Sequence, residues 1–195
     1  VVVAAVAGAF TVLFSWYASP FFAAGYAIPF ATDLFDLLGV AFAAWTLAAF
    51  AIGALAGMLI RRAVPAIAAT LAVYAALALA TALWLRQHYM TPLLTTKLNL
   101  PGTAWFVSQW YTKGGKFAFG AHGSGIVQAV RHFCPPPNSS LSPAQCLSPH
   151  GYTQWTSYQP GSRFWSFQLI EGGWLLALSL ILIVVTVWLV RRRAA

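Results

Sequence analysis

Apolar residues occur along this chain in long uninterrupted runs rather than at the spacing of an amphipathic helix or strand. Three runs, at 37–60, 64–85 and 169–190, are long enough to cross a bilayer, because about 20 apolar residues in a helix span about 30 Å of hydrocarbon. A shorter run, at 1–14, predicts the end of a truncated span. The pattern predicts an all-α fold, a polytopic bundle of about four transmembrane helices.

The segments between these runs differ in character. Residues 15–36 combine prolines with aromatic side chains, which favour the headgroup level and predict an interfacial or re-entrant loop. Residues 86–168 are polar, aromatic and rich in Gly and Pro, and they predict a large irregular extracytoplasmic loop. The domains are then a transmembrane region at 1–85, this loop, and the last span with its Arg tail at 169–195. Because the chain opens inside an apolar run without Met, a charged start or a cleavage site, we expect a C-terminal part of a longer protein.

Arginines at the ends of the apolar runs predict the orientation of the bundle. Arg61 and Arg62 occupy the bend between the second and third runs, and the chain ends in Arg191, Arg192 and Arg193. Short basic segments stay in the cytoplasm, whereas long loops translocate largely regardless of their charge. Two spans separate the two sites, so both fall on the same side. We therefore expect all five arginines to be cytoplasmic anchors and the long loop to face outward.

The composition indicates a bilayer environment and argues against nucleic acid as a partner. The chain is 60% hydrophobic and only 7% charged, whereas soluble domains carry about 25% charged residues. The net charge of +8 does not form a polar basic face, which a nucleic-acid-binding protein would need. The basic residues named above instead sit where lipid meets water.

The cysteines provide an independent indication of compartment. Cys134 and Cys146, the only two, both lie in the long loop, and disulfides persist in oxidising compartments. We predict a disulfide, with two unpaired thiols as the alternative. Together with His122, His132 and His150 the cysteines match no standard zinc spacing, so no metal site is predicted.

A small-residue pattern in the second run predicts close helix packing. Ala49, Gly53 and Gly57 are four residues apart and so share one helix face, where two backbones can approach closely. We interpret the pattern as packing within this bundle. A dimer interface is the alternative.

Glu171 is the only acidic residue after Asp36, and Gly172 and Gly173 follow it at the outer mouth of the last span. We regard these three residues as a candidate outer gate. The alternative is a first-turn acid stabilised by the positive end of the helix dipole. No predicted span carries a charged residue near its centre, which argues against an ion or proton path.

The sequence contains no recognisable catalytic or nucleotide-binding group. Gly114-Gly115-Lys116 is a turn with a lysine rather than a P-loop. The loop at 86–168 has no Asp or Glu, so it lacks the acid that a hydrolase triad requires. We predict that the chain is not an enzyme, has no catalytic residues and binds no cofactor.

Five stretches carry a resemblance to a known family: FDLLG at 35–39, AAFAIGALAG at 48–57, RRAVPAIAATL at 61–71, LRQHYMTPL at 85–93 and QLIEGGW at 168–174. Together they resemble actinobacterial ABC transporter permeases of the ABC-2 type. This resemblance implies a bacterial plasma membrane protein that works as a homo- or heterodimer with a separate ATP-binding ABC subunit. Such permeases have six spans and both termini in the cytoplasm, so this chain would hold spans three to six.

One feature departs from that family. The cytoplasmic turn at 61–64 is too short for a helix that docks an ATPase, so we expect the main coupling element earlier in the protein. The resemblance favours a permease subunit of an ATP-driven exporter. The alternative function is a non-transporting membrane sensor, anchor or assembly protein whose outer loop binds a ligand or a protein.

Overall fold

A computed structural model describes residues 2–23, 30, 32–134 and 142–194. The chain forms two compact units. The first, Val1–Met90 with Ser162–Ala195, is helical, and the second, Thr91–Gly161, contains a sheet. We call them the helical unit and the sheet unit.

Long apolar helices make up the helical unit. Three are long and apolar enough to cross a membrane, at Gly39–Ile60, Ala63–His88 and Gly161–Arg193, and a shorter apolar helix covers Ala5–Phe21. Among the described residues this gives three candidate spans rather than about four, and it identifies a multi-pass membrane protein. The helices are α1 (Val2–Ala23), α2 (Thr32–Phe35), α3 (Gly39–Ile60), α4 (Ala63–Ala80), α5 (Arg86–His88) and α8 (Phe164–Ala194), with a π-helical turn, Thr81–Leu85, joining α4 to α5.

The first helix extends further than the sequence pattern predicts. The pattern places a loop from residue 15, but α1 continues to Ala23 with Pro20 inside it. Proline removes the N–H that would bond to the carbonyl four residues earlier. The hydroxyl of Ser19 donates to that carbonyl, the oxygen of Trp16, at 2.8 Å. This replacement bond explains how the helix passes the proline, as membrane helices commonly do.

The last helix begins earlier than predicted, and this changes the environment of Glu171. A start at residue 169 would have placed Glu171 in the first turn, but α8 begins at Phe164 and its first turn holds no acidic residue. The first-turn interpretation of Glu171 is therefore wrong. Phe164 packs edge-on against Phe30 and Phe35, with ring centroids 5.7 and 5.5 Å apart, which explains why the aromatic segment before residue 169 is helical.

Helix α3 is the centre of the helical unit, because it packs against α1, α4 and α8. Four alanines along α3 are fully buried, and such small side chains let helices approach closely. Gly172 of α8 marks one close approach, since a Cβ there would lie 3.0 Å from Val40 of α3. The alanines are Ala41, Ala44, Ala48 and Ala51.

The sheet unit corrects the prediction of an all-α fold with an irregular loop. It holds a four-stranded antiparallel sheet of order β1-β4-β2-β3. The β2–β3 hairpin turns at Gly114 and Gly115, which both have positive φ, as the tightest hairpin turns require. Aromatic and β-branched residues fill β2, and these favour strands. The strands are β1 (Leu93–Thr95), β2 (Trp105–Lys113), β3 (Lys116–Gly120) and β4 (Tyr152–Gln159).

Two helices, α6 (Ser124–Phe133) and α7 (Pro143–Leu147), complete the sheet unit. Tyr111 of β2 forms a buried core with Ala129, Ala144 and Leu147. A disulfide joins Cys134, at the end of α6, to Cys146 of α7, with the Cα atoms 5.8 Å apart. The predicted disulfide is therefore present in the structure.

Candidate functional site: a buried ion cluster

The centre of the candidate site is a buried ion pair between Arg86 and Glu171. The Arg86 side chain is 3% exposed and that of Glu171 is fully buried. Arg86 donates from Nε to Glu171 Oε2 at 3.0 Å and from Nη2 to Oε1 at 2.8 Å. Side-on bidentate pairing of this kind fixes both orientation and distance. The pair connects α5 to α8.

Asp36, in the segment before α3, is the third member of the cluster. Its Oδ1 accepts a hydrogen bond from Arg86 Nη2, and its side chain remains 39% exposed. Two carboxylates thus share one guanidinium, which leaves one excess negative charge when both are ionised. Burial raises the pKa of Asp36 to about 6, with Glu171 adding to the rise and Arg86 opposing it.

Four aromatic side chains lie at or next to the charges: two tryptophans, a phenylalanine and a tyrosine. Trp45 of α3 donates from Nε1 to Glu171 Oε1 at 2.9 Å, so Glu171 holds α3 as well as α5. The guanidinium carbon of Arg86 lies 4.2 Å from the ring centroid of Phe35, a favourable cation–π distance. Trp174 of α8 donates to the hydroxyl of Tyr89 at 2.9 Å. These contacts replace water around a charge pair that would otherwise be costly to bury.

Gln168, one turn before Glu171 in α8, supports the start of α3. Its Nε2 donates to the carbonyl of Phe35 and its Oε1 accepts from the backbone N–H of Ala41, both at 2.9 Å. Gly39 permits this arrangement, because its φ is +60° and a Cβ there would lie 2.7 Å from Gln168 Oε1. Both the positive φ and the close approach of Gln168 therefore favour glycine at position 39.

Replacing Gly39 with alanine is expected to destabilise the protein by about 2 kcal/mol, through left-handed strain and loss of the buried Gln168 hydrogen bonds. The measurement is the thermal midpoint of the purified protein in detergent. Gly8→Ala, within α1, is the control, since nothing described apart from its own helix backbone lies within 4 Å of the added Cβ. An equal response of the two variants would contradict this account of Gly39.

Acidification is expected to stabilise the wild type relative to Asp36→Asn. The folded-state pKa of about 6 exceeds the ordinary 3.8, so the folded state binds the Asp36 proton more tightly. The stabilisation is therefore complete below about pH 3.8 and is lost as pH rises through 6. Thermal midpoints of both proteins across this range measure it, since the other titrating groups are shared. Parallel curves would contradict the prediction.

The structure brings together only part of the predicted site. Glu171 lies in the cluster, and Gly172 lies at the α3–α8 contact. Apart from the backbone of their own helices, no described heavy atom lies within 4 Å of a Cβ built on Gly57 or Gly173, whereas a Cβ on Gly53 would touch Thr70 of α4 at 3.6 Å. Ala49 borders a cavity beside Asp36. The gate and packing roles of these residues stay predictions.

The predicted anchor arginines lie at the C-terminal ends of α3 and α8, and none of them belongs to the ion cluster. Arg61 ends α3 in the left-handed conformation, with φ 55°, and its N–H bonds to the carbonyl of Gly57 at 3.2 Å. Arg193 donates to the carbonyl of Met58 at 2.9 Å. The last bond links the end of α8 to the last turn of α3, so residues 61 and 193 lie at the same end of the helical unit. Arg62, Arg191 and Arg192 are exposed.

Sequence reasoning misses Arg86 and the partnership of Asp36. The hydrophobic pattern assigns Arg86 to the outer loop because it follows the third apolar run directly. The sequence does contain a signal for this pair, because an acidic residue inside an apolar helix needs a basic partner. Glu171 is such an acid, and Arg86 is the one basic residue that directly follows an apolar run at that end of the bundle.

The arrangement can hold three membrane helices together at one end, but it offers no obvious reaction chemistry. Within the described part of the chain, no three His, Cys, Asp or Glu side chains are placed to share a metal ion. Fold and site together define a multi-pass membrane protein whose spans are joined by a buried ion cluster.

Comparison with known proteins gives a more specific relationship. Residues 1–86 match the model of the family described as ABC-2 membrane transporter related, and the match includes both Asp36 and Arg86. No curated protein and no solved structure matches the chain significantly.

Proposed function

We propose that this chain is a membrane-spanning permease subunit of an ATP-driven exporter, energised by a separate ATPase subunit. The family match over residues 1–86 is the observation that carries the proposal. Three candidate spans are consistent with a transport path between helices. The sequence has no P-loop motif, so in this proposal a partner polypeptide hydrolyses the ATP. The permease works as a homo- or heterodimer.

In this proposal the ion cluster stabilises one of two helix arrangements. Transport requires at least two states, and nucleotide binding can drive the switch only as far as it favours one state over the other. Arg86, Glu171 and Trp45 join α5, α8 and α3 through hydrogen bonds of 2.9 and 3.0 Å. We assign Glu171, Gly172 and Gly173 to the outer gate, and Gly53 and Gly57 with Ala49 to close helix packing.

The proposed orientation places the Arg-bearing helix ends in the cytoplasm of a bacterial cell and the sheet unit outside. After mild reduction of intact cells, a membrane-impermeant thiol reagent is expected to label Cys134 or Cys146. A cysteine introduced at Ala194, beside the terminal arginines, in a variant lacking the native cysteines should react only after the cells are broken. If the cysteine at position 194 reacted in intact cells, and Cys134 and Cys146 only in broken cells, the proposed orientation would be overturned.

The function is tested by co-expression with an ATPase encoded beside this chain. We expect the two to copurify and ATP hydrolysis to rise when the permease is reconstituted with its partner. A P-loop lysine variant of that ATPase is the control, because it should bind the permease without hydrolysing ATP. Purification without any ATPase, with no effect of deleting the neighbouring ATPase gene, would contradict the proposal.

A second candidate function rests on the sheet unit. This unit has its own core and a cavity of about 440 Å³, whose lining includes Gln109, Tyr111 and Gln154. A folded unit with a polar cavity suits a non-transporting sensor, anchor or assembly protein that binds a ligand or protein. Under this alternative, substitutions of the residues that line the cavity would reproduce the growth defect of a strain lacking this chain. Deletion of the neighbouring ATPase gene would cause no such defect.

A further inference from the structure

The ion cluster has an excess of negative charge that is accessible at one residue. Arg86 and Glu171 are buried and neutralise each other through two hydrogen bonds. The Asp36 side chain, at 39% exposure, is the member of the cluster that a ligand can reach. Because Asp36 and Glu171 share the single guanidinium of Arg86, the cluster keeps one net negative charge when both acids are ionised. A net charge in low-dielectric surroundings attracts a cation strongly.

A cavity of about 320 Å³ adjoins this carboxylate. Asp36 lines it, together with the aromatic side chains Phe42, Trp45 and Tyr74, and with Ala49 and Ala78. It lies between α3 and α4 within the helical unit. Its size falls in the lower range of small-molecule sites.

The aromatic wall of this cavity is held in place. Trp45 is fixed by its hydrogen bond to Glu171 at 2.9 Å, and its ring meets that of Tyr74 edge-on at 5.4 Å between centroids. Phe42 contacts Phe10 of α1 at 5.0 Å. A preformed wall avoids much of the cost of ordering side chains when a ligand binds.

The combination selects one chemical class of ligand. Aromatic rings attract organic cations through their negative faces, and the carboxylate supplies the opposite charge. A hard metal ion prefers several oxygen ligands, whereas this lining offers one carboxylate and two hydroxyls, of Thr46 and Tyr74. Thr46 already donates to the carbonyl of Phe42 at 2.8 Å.

We propose that this cavity binds a monovalent organic cation with an apolar or aromatic body, with Asp36 as the counter-charge and Phe42, Trp45 and Tyr74 as the wall. The inference rests on the proposed function and adds to it a substrate class, such organic cations. The cation enters with its charge toward Asp36 and its apolar body along α3 toward Ala49.

The test uses two probes of the same shape, phenyltrimethylammonium and its neutral isostere tert-butylbenzene. Equilibrium dialysis against the full chain in nanodiscs, with empty nanodiscs subtracted, measures the binding of each. We expect the cation to bind at least about tenfold more tightly than the isostere, as desolvated cation–π and charge contacts allow. Asp36→Asn should remove this preference and leave the Arg86–Glu171 pair electrically balanced.

Asp33→Asn is the matched control, because it removes the same charge three positions earlier in the chain. It should keep the preference for the cation. Equal binding of the two probes to the wild type, or equal losses in the two asparagine variants, would overturn the proposal. The assay contains no ATP and no partner, so its failure would leave coupling to an ATPase as a separate question.

Discussion

Replacing Arg86 with methionine is expected to destabilise the helical unit by about 3–5 kcal/mol, the usual effect of removing one partner of a buried ion pair. Glu171 is fully buried, so its carboxylate would lose two of its hydrogen bonds and its only opposite charge within the cluster. Asp36 would then add repulsion. The thermal midpoint in detergent, read by the loss of monodisperse protein on size exclusion, measures the effect.

A second-site substitution separates charge from packing. In Arg86→Met/Glu171→Gln the buried negative charge is gone, and the amide oxygen of the glutamine can still accept from Trp45. We expect this double variant to recover most of the stability that the single variant loses. Arg86→Lys keeps the charge but cannot make the side-on pair, so it should fall between the wild type and Arg86→Met.

Two outcomes would contradict the stabilising role assigned to the ion cluster. If Arg86→Met were as stable as the wild type, the ion pair would contribute nothing net to the folded state. If the double variant were no better than Arg86→Met, the loss would come from packing of the long Arg86 side chain, and uncompensated charge would not be the cause.

The hydrophobic pattern predicts the spans because lipid imposes a simple constraint on them. Every backbone group must bond within its own helix, so length and apolarity nearly suffice to locate a span. The three long runs of the sequence all appear as candidate spans. Helix ends are less predictable, because they depend on individual side-chain contacts. The Ser19 hydroxyl replaces the backbone hydrogen bond lost at Pro20, and the ring of Phe164 packs against other aromatic side chains.

The ion cluster cannot be predicted in the same way, because its members are far apart in sequence. Asp36, Arg86 and Glu171 meet only after α3, α4 and α8 pack. A π-helical turn, Thr81–Leu85, directly precedes Arg86. Each extra residue in such a turn rotates the next part of the helix by about 100° around its axis. Extending the α4 pattern by helical periodicity would therefore place Arg86 on the wrong face.

The hydrophobic pattern fails to predict the four-stranded sheet for a different reason. Residues 86–168 contain no run of span length, but strands need only five or six residues. Local signals are present: Gly114-Gly115 lies between two segments rich in aromatic residues, a spacing typical of a hairpin. The pairing of β4 between β1 and β2 is non-local, so no local pattern specifies it.

Replacing both cysteines with serine is expected to destabilise the sheet unit by about 3 kcal/mol. Cys134 and Cys146 are 12 residues apart, and closing a loop of that size restricts the unfolded chain by about this amount. The bond also holds α7 beside α6, and both contribute to the core around Tyr111. Loss of the crosslink therefore acts on the segment whose packing covers one face of the sheet.

Limited trypsin digestion of the full chain in detergent measures this effect, because cleavage of a folded segment tracks the population of its open form when opening is fast. Lys113, Lys116 and Arg131 supply sites within the sheet unit. Cleavage there should be about a hundredfold faster in the double-serine variant than in the oxidised wild type. Chemical reduction should bring the wild type to the rate of the variant and leave the variant unchanged. Cleavage of the variant at the oxidised wild-type rate would mean that the α6–α7 packing holds without the bond, and the disulfide would then have no part in stabilising the sheet unit.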